Sequence, residues 1–267
     1  MTALRIEGTT ALVTGANRGI GRALTEALLA RGAGKVYATA RNPQALSTVR
    51  DGRLVPLRLD VTDADQIRAV AEAVRDVRLV ISNAGVALAT GFAESADVDN
   101  ARREMEVNYF GPLQLIQRLA PTLAKNGGGA VVTIGSVAGL TNLPIIPTYS
   151  ASKAALHSLT QAARTLLGGQ RISVFGVYAG PVDTDMSRAL PVAKASPRDV
   201  AYAILDGIEA GQADIFPDPF AVGTSSPEYC VIQFLLPLPK NPCPTRATKA
   251  SQAGRLRWSR ISRRASH

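Results

Sequence analysis

The sequence predicts an α/β fold in which one doubly wound parallel sheet carries helices on both faces. Short β-branched or apolar runs alternate with helix-like segments through residues 1–217, as expected for a series of β-α-β units. The runs are apolar almost throughout, which is typical of strands that are covered on both sides. Right-handed crossovers between such strands favour a single sheet of the Rossmann type.

Six runs are predicted strands, and Asp214–Pro217 is a candidate for a short last edge strand. The six are Thr10–Thr14, Lys35–Ala40, Leu54–Leu59, Leu79–Ser82, Ala130–Ile134 and Ile172–Val177. The segments between them are rich in Ala, Leu, Arg and Glu and predict helices, namely Ile20–Arg31, Ala64–Arg75, Ala101–Ala124, Tyr149–Leu167 and Pro197–Ala210. Helix-capping residues are expected at Thr62 or Asp63 before Ala64, and at Ser196 before Pro197.

The alternation stops after Pro217. Seven prolines lie between residues 217 and 244, and because proline lacks an N–H and breaks helices, no further β-α unit is expected. We therefore divide the chain into a patterned domain, residues 1–217, and a Pro-rich basic tail, residues 218–267, that is irregular or disordered. The tail holds eight Lys and Arg against two acidic residues, which is most of the net charge of +9. A solvated extension is the favoured interpretation, and a nucleic-acid or acidic-membrane contact is the alternative.

Composition narrows the class of protein. The 267 residues fit one large domain or two small ones, and 46% apolar with 19% charged residues excludes disorder along the whole chain. No apolar stretch approaches the ~20 residues that a membrane helix needs, so no membrane span is expected. The N-terminus lacks a secretory signal and there are two cysteines, so we expect a cytoplasmic location. Two distant histidines and two tail cysteines do not make a metal site.

A glycine-rich motif, Thr14–Gly21, follows the first strand and opens the first helix. Gly15 permits a sharp turn, Gly19 lets the backbone approach a pyrophosphate, and Gly21 lets helix and strand pack closely. The free N–H groups and positive dipole end of the helix then favour phosphate. A tight turn without a ligand is the alternative interpretation.

The residues at the end of the second strand favour NADP(H) over NAD(H). An acidic residue there would bind the ribose 2′-hydroxyl, but Ala40 occupies this position and Arg41 follows it. Arg18 lies in the glycine-rich turn, and arginine forms charge-assisted bonds to phosphate. We therefore predict NADP(H), with NAD(H) still possible; two arginines that merely point to water are the alternative.

Tyr149 and Lys153 stand four residues apart at the start of a predicted helix, so they share one face. A tyrosine pKa is near 10, and a neighbouring ammonium is expected to lower it. Ser136 closes the fifth strand, and Asn108 is unexpected inside a long helix. Asp60 and the Asn83-Ala84-Gly85 sequence close two further strands, at the edge where ligands bind in open α/β sheets.

These motifs, in this order, resemble those of the short-chain dehydrogenase/reductase family. The matching residues are Thr14–Gly21, Asp60, Asn83-Ala84-Gly85, Asn108, Ser136, Tyr149, Lys153, Val182 and Thr184, and the resemblance covers about residues 6–217. It implies that residues 1–217 form a Rossmann-type dinucleotide-binding and catalytic domain. The implied activity is the interconversion of an alcohol and a carbonyl by hydride transfer. A non-catalytic NADP(H)-sensing or interaction protein on the same fold is the alternative.

The resemblance also implies roles for four catalytic residues. Tyr149 would be the general acid in carbonyl reduction and the base in the reverse direction. Ser136 would hydrogen-bond the substrate oxygen, and Lys153 would lower the tyrosine pKa and bind the nicotinamide ribose. Asn108 would hold a water that links Lys153 to solvent.

The cofactor contacts follow from the same resemblance. Asp60 is expected at the adenine, Asn83 at the adenosine ribose, and Val182 and Thr184 at the carboxamide. The complete set is Gly15, Asn17, Arg18, Gly19, Ile20, Gly21, Arg41, Asp60, Val61, Asn83, Ala84, Gly85, Tyr149, Lys153, Val182 and Thr184.

The substrate and assembly are predicted more coarsely. Five apolar loop residues are expected to ring a small, mainly apolar substrate or simply to pack a lid: Phe92, Leu143, Ile145, Ile146 and Met186. The sequence has Ala179-Gly180 where the family usually has Pro-Gly, and Asp185–Pro197 is short for its substrate lid. Relatives commonly form dimers or tetramers through the long helices, so a homodimer or homotetramer is expected.

Overall fold

Seven parallel strands form one sheet with the order β3-β2-β1-β4-β5-β6-β7. The structure, a computed structural model, describes residues 2–88, 90–92 and 97–224. The strands are β1 (Thr10–Thr14), β2 (Lys35–Ala40), β3 (Leu54–Arg58), β4 (Leu79–Ser82), β5 (Gly129–Ser136), β6 (Ile172–Ala179) and β7 (Asp214–Ile215). The predicted doubly wound parallel sheet of the Rossmann type is confirmed.

The central strands form because their side chains are buried on both faces. All four residues of β4 are buried, as are residues Ala130–Ile134 of β5, and these two strands pair in parallel. β-branched and small residues suit such a position, because they pack on the pleated surface without a polar face. The sheet edge where these strands end carries the polar motifs.

Helices cover both faces of the sheet. They are α1 (Gly19–Ala30), α2 (Ala64–Ala73), α3 (Val98–Met105), α4 (Gly111–Lys125), α5 (Pro147–Leu167), α6 (Pro197–Glu209) and α7 (Pro219–Thr224). α1 and α6 pack together and contribute to one apolar core, whereas α2, α4 and α5 contribute to the core on the other face. The predicted caps act as such: Asp63 accepts from the backbone N–H groups of Asp65 and Gln66 at the start of α2.

The long helix predicted over Ala101–Ala124 contains a wider turn that the sequence analysis missed. α3 and α4 are joined by a π-helical turn, Glu106–Phe110, and the joining residues keep right-handed helical backbone angles. Pro112 has no N–H to donate to the carbonyl of Asn108 four residues earlier, so a regular α-helical pattern cannot continue there. Single π turns are frequent at functional sites, and this one carries Asn108.

The segment that follows β7 differs from expectation at its start. We expected an irregular chain from residue 218, but Pro219–Thr224 form the short helix α7. Asp218 is buried and caps this helix, accepting from the N–H of Ala221 with one oxygen and from the N–H of Gly180 with the other. The remaining tail predictions concern residues 225–267, which lie outside the described residues.

In the described part of the chain, no helix is long and apolar enough to cross a membrane.

Candidate active site

The glycine-rich turn between β1 and α1 is built as the motif predicts. Gly15 and Gly19 have φ of +65° and +53°, a left-handed region that favours glycine. A Cβ on Gly21 would stand 2.3 Å from the carbonyl oxygen of Gly15, so the helix approaches the turn too closely for any side chain. No side-chain cap occupies the start of α1 at Arg18. The turn therefore presents uncapped helical N–H groups at the sheet edge, as an anion site requires.

Asn83 and Thr14 tie this turn to the end of β4. The Asn83 amide donates to the carbonyl oxygens of Thr14 (2.8 Å) and Gly15 (3.2 Å). The Thr14 hydroxyl oxygen in turn accepts from the backbone N–H groups of Asn83 and Ala84. The sequence motif Asn83-Ala84-Gly85 thus fixes the shape of the glycine-rich turn, whether or not Asn83 contacts a ribose.

A cluster of charge lies at the ends of β2 and β3. Asp60 accepts from the backbone N–H and the hydroxyl of Thr62 at 3.0 and 2.8 Å. Burial raises the pKa of Asp60, but the two Thr62 hydrogen bonds and the charges of Arg103 and Arg41 outweigh it, so the pKa stays below its ordinary value. Arg103, from α3, lies 3.8 Å from Asp60 and was not predicted as a site residue. The surroundings of Arg41 therefore hold one carboxylate and a second guanidinium.

The loop after β6 lies against the glycine-rich turn. The position of a Cβ on Gly19 is 3.1 Å from the Thr184 methyl group, so these two predicted residues are adjacent. Arg18, which we expected beside Arg41, pairs instead with Asp185 at 3.2 Å, and its side chain is 65% exposed. Val182 is buried and bridges to Ala195.

Ser136, Tyr149 and Lys153 come together at the carboxyl end of β5. α5 begins with Pro147 at its first turn, which places Tyr149 and Lys153 on one buried face of the helix. The Lys153 ammonium lies 5.8 Å from the centre of the Tyr149 ring and donates to the carbonyl oxygen of Ile134 at 2.8 Å. The Ser136 hydroxyl donates to the carbonyl oxygen of Ala179 and accepts from the N–H of Ala138.

The expected lowering of the tyrosine pKa is not present in this structure. Burial raises the pKa of Tyr149 to about 12, a hydrogen-bonding contact with Ser136 lowers it in part, and the charge of Glu104 raises it. Burial also lowers the pKa of Lys153 to about 8. Removal of the phenol from water therefore has the largest effect on its pKa, and a lowering by Lys153 stays a prediction.

Asn108 is fully buried beside this group. Its amide donates to the carbonyl oxygen of Val86 (2.8 Å) and to the Ser152 hydroxyl (2.9 Å), and its side-chain oxygen accepts from the N–H of Val86. A Cβ on Gly85 would lie 3.2 Å from that oxygen and 3.5 Å from the Lys153 ammonium. A side chain at position 85 would therefore crowd the side-chain oxygen of Asn108.

Two charged residues near the site were missed by the sequence analysis. Arg103 and Glu104 lie in a segment of alternating charge that is typical of an exposed helix face, yet Glu104 is fully buried. The available signal was spacing, because Glu104 precedes Asn108 by four residues and therefore shares its helix face. No group of three or more potential metal ligands occurs in the described residues.

A glycine-rich turn, an acidic residue after β3 and a Tyr-Lys pair lie at one edge of a doubly wound sheet. The fold and the site together define a nucleotide-dependent oxidoreductase. Comparison with known proteins gives the family. Residues 9–194 match the family model described as short chain dehydrogenase. The chain belongs to the short chain dehydrogenase family and is an NAD(P)-dependent dehydrogenase/reductase.

Relatives and solved structures agree with this assignment. The chain is 34% identical over 194 residues to the 3-oxoacyl-[acyl-carrier-protein] reductase FabG of Escherichia coli, covering 70% of this chain and 79% of that protein. A short chain dehydrogenase from Burkholderia cenocepacia, solved in complex with NADP, is 40% identical with a TM-score of 0.80, over 83% of this chain and 93% of that one. A relative from Burkholderia phymatum, solved in complex with NAD, is 26% identical with a TM-score of 0.75, over 83% and 92%.

Proposed function

We propose that this protein interconverts an alcohol and a carbonyl on a small, mainly apolar substrate by hydride transfer, with NADP(H) as the preferred cofactor. The observation that carries the proposal is the group of Ser136, Tyr149 and Lys153 at the carboxyl edge of the sheet, in which Tyr149 and Lys153 are buried. A buried phenol with an ammonium 5.8 Å from its ring, at the same sheet edge as the glycine-rich turn, suits proton transfer next to a bound dinucleotide.

The residues present fit a dinucleotide. The cradle at Gly15, Gly19 and Gly21 has no room for a Cβ at Gly21, and the start of α1 has no side-chain cap. These N–H groups would hold the pyrophosphate. The cofactor contacts that the sequence predicts are also proposed, unchanged, for Asn17, Ile20, Val61, Ala84 and Val182.

Arg41 supports the preference for NADP(H). It is exposed just after β2, its charge acts on Asp60, and Arg103 lies 3.8 Å from the same carboxylate. The Arg18 side chain can leave Asp185 and turn towards Arg41 at a small cost in free energy, because an exposed ion pair such as Arg18–Asp185 contributes only about 0–1 kcal/mol. A 2′-phosphate would then meet guanidinium groups that form charge-assisted bonds.

Arg41→Asp is expected to reverse the cofactor preference. The variant exchanges an attractive charge for a repulsive one at the 2′-phosphate, so the ratio of kcat/KM for NADPH to that for NADH falls by about 100-fold or more, a loss of roughly 3 kcal/mol. Arg75→Asp makes the same charge change at an exposed arginine beyond the end of α2 and leaves the ratio unchanged. An unaltered ratio in Arg41→Asp contradicts the assignment of Arg41.

Each residue of this group has its own part in the proposed chemistry. When bound, NADP(H) supplies or accepts the hydride at its nicotinamide ring. Tyr149 donates a proton to the substrate oxygen in reduction and takes one in oxidation, while Ser136 hydrogen-bonds that oxygen. Lys153 would bind the nicotinamide ribose with the N–H groups that Ile134 does not use, and Asn108 would hold a water that links Lys153 to solvent.

The apolar nature of the substrate is proposed from three exposed apolar residues that the sequence analysis expected around the pocket. Phe92, Ile145 and Met186 expose between 38% and 91% of their surface, although all three are large and apolar. Such surface favours an apolar ligand. A screen of aldehydes, ketones and alcohols that follows NADPH absorbance is expected to find turnover with apolar carbonyls. Cofactor binding without turnover of any of them would favour the sensing or interaction protein instead.

Assembly and location remain predictions. We propose a homodimer or homotetramer formed through the long helices α4 and α5, and a cytoplasmic location. Nucleic acid is not proposed as a partner.

A further inference from the structure

Arg103, on α3, is a charged residue near the candidate cofactor site to which the proposed chemistry gives no part. Its guanidinium lies 3.8 Å from Oδ2 of Asp60, which follows β3. The preceding residue, Arg102, pairs instead with Asp99 inside the same helix, and its side chain is 73% exposed. Of these two consecutive arginines, only Arg103 therefore crosses from α3 to the sheet edge where the cofactor is expected.

The carboxylate of Asp60 has a different partner for each oxygen. Oδ1 accepts from the backbone N–H and the hydroxyl of Thr62, and Oδ2 is the oxygen that faces Arg103. The Asp60 side chain is 27% exposed and the Arg103 side chain 46%, so the pair is partly removed from water. Among the described residues, Arg103 is the one cation that forms an ion pair with Asp60. Arg103 is therefore the counter-ion of this carboxylate.

Arg41 lies close to the same carboxylate but does not pair with it. The N–H of Leu59 donates to the carbonyl oxygen of Ala40 at 3.0 Å, so the residues that follow β2 and β3 leave the sheet side by side. Neighbouring strands lie about 4.8 Å apart, a distance that an arginine side chain spans. Arg41 is exposed and, in the described part of the chain, forms no ion pair. Its guanidinium is therefore available to a ligand, although Asp60 lies within its reach.

We propose that Arg103 is a positioning residue for NADP(H), because as the counter-ion of Asp60 it keeps Arg41 available to the 2′-phosphate. Without Arg103, Asp60 attracts the Arg41 guanidinium and repels the phosphate, since both effects grow as the charges approach. The cofactor preference then depends on a residue of α3 as well as on the end of β2. This inference rests on the proposed function, in which Arg41 binds the 2′-phosphate.

Arg103→Gln tests this role with two probes that bind without turnover. Adenosine 2′,5′-bisphosphate and adenosine 5′-monophosphate differ by the 2′-phosphate alone, so the ratio of their dissociation constants, measured by calorimetry, isolates its contribution. The preference of the wild type for the bisphosphate is expected to fall about fivefold in Arg103→Gln, in line with a partly exposed ion pair. Arg103→Lys retains the charge and most of the preference. Arg102→Gln removes the neighbouring exposed guanidinium and leaves the preference unchanged.

The Asp60→Asn background decides whether Arg103 acts through Asp60. The amide has no charge to offset, so Arg103→Gln is expected to lower the preference only where Asp60 is present, and the double variant should match Asp60→Asn. Any change of adenine binding in Asp60→Asn affects both probes and cancels in the ratio. Equal preferences in Arg103→Gln and the wild type overturn the proposal. An equal loss in both backgrounds also overturns it, because Arg103 would then act on the phosphate directly.

The same two probes separate this inference from the proposed function. A wild type that binds both probes equally would refute the preference for NADP(H), and the role of Arg103 with it. A preference that Arg41→Asp abolishes and Arg103→Gln retains would refute the role of Arg103 alone. Because neither probe carries a nicotinamide, the result does not depend on which substrate the enzyme turns over.

Discussion

Tyr149→Phe is expected to remove turnover while leaving NADP(H) binding nearly intact. The variant keeps the ring that lies 5.8 Å from the Lys153 ammonium and loses only the hydroxyl. Loss of a general acid typically costs about 10²–10⁴ in rate, and little else in the site changes. We expect kcat to fall within that range and the dissociation constant for NADPH, measured by fluorescence or calorimetry, to change by less than about tenfold.

The control for this variant is Tyr202→Phe. Tyr202 is a partly buried tyrosine on α6 that stacks on Arg31 and Arg198, outside the group around Tyr149. It should retain the wild-type rate. Thermal unfolding of Tyr149→Phe should differ little from the wild type, because one buried hydrogen bond contributes about 1 kcal/mol. A variant that reduces carbonyls at a near-normal rate would take Tyr149 out of its proposed role.

The sheet was predictable because its signals are local. The bounds of β1, β2 and β4 coincide with the predicted runs. Short runs of β-branched and small apolar residues favour strands that are buried on both faces. β5 and β6 run two residues further than predicted, through Gly135 and Ser136 in β5, where glycine and serine weaken the pattern but pairing with β6 continues. A strand end is set by its neighbour, which a single sequence does not show.

The sequence predicted which candidate residues lie together at the sheet edge, but it did not predict their electrostatic surroundings. Motif spacing identified Tyr149 and Lys153, but the degree of burial depends on residues from several elements. Asp218, for example, holds the N–H of Gly180 from the start of α7, in a segment whose prolines indicated irregular chain. Glu104 was missed although it precedes Asn108 by four residues, because an acidic, arginine-rich helix is typical of an exposed face.

Lys153→Met is expected to lower activity sharply without lowering stability at neutral pH. Burial lowers the pKa of Lys153 to about 8 from an ordinary 10.5, so the folded protein holds this charge at a cost of about 3 kcal/mol at pH 7. Methionine fills a similar volume and carries no charge, so the variant does not have that cost. It loses one hydrogen bond, to the carbonyl oxygen of Ile134, which is worth about 1 kcal/mol. Turnover should fall by about 100-fold or more, because the proposed ribose contact and the charge beside Tyr149 are both lost.

The pH dependence of unfolding tests this account of Lys153 directly. The folded state releases the lysine proton near pH 8 and the unfolded state near 10.5, so between these values the unfolded state binds more protons. The free energy of unfolding of the wild type should therefore gain about 1.4 kcal/mol per pH unit from this residue between pH 8 and 10. The raised pKa of Tyr149 acts mainly above pH 10 and lies outside this window.

Subtracting the unfolding free energy of Lys153→Met from that of the wild type isolates the gain, and Lys125→Met, which removes an exposed ammonium from α4, should leave it in place. If the difference in unfolding free energy between the wild type and Lys153→Met stays constant from pH 7 to 10, burial does not lower the pKa of Lys153. The lysine side chain is then charged in the folded protein throughout this range.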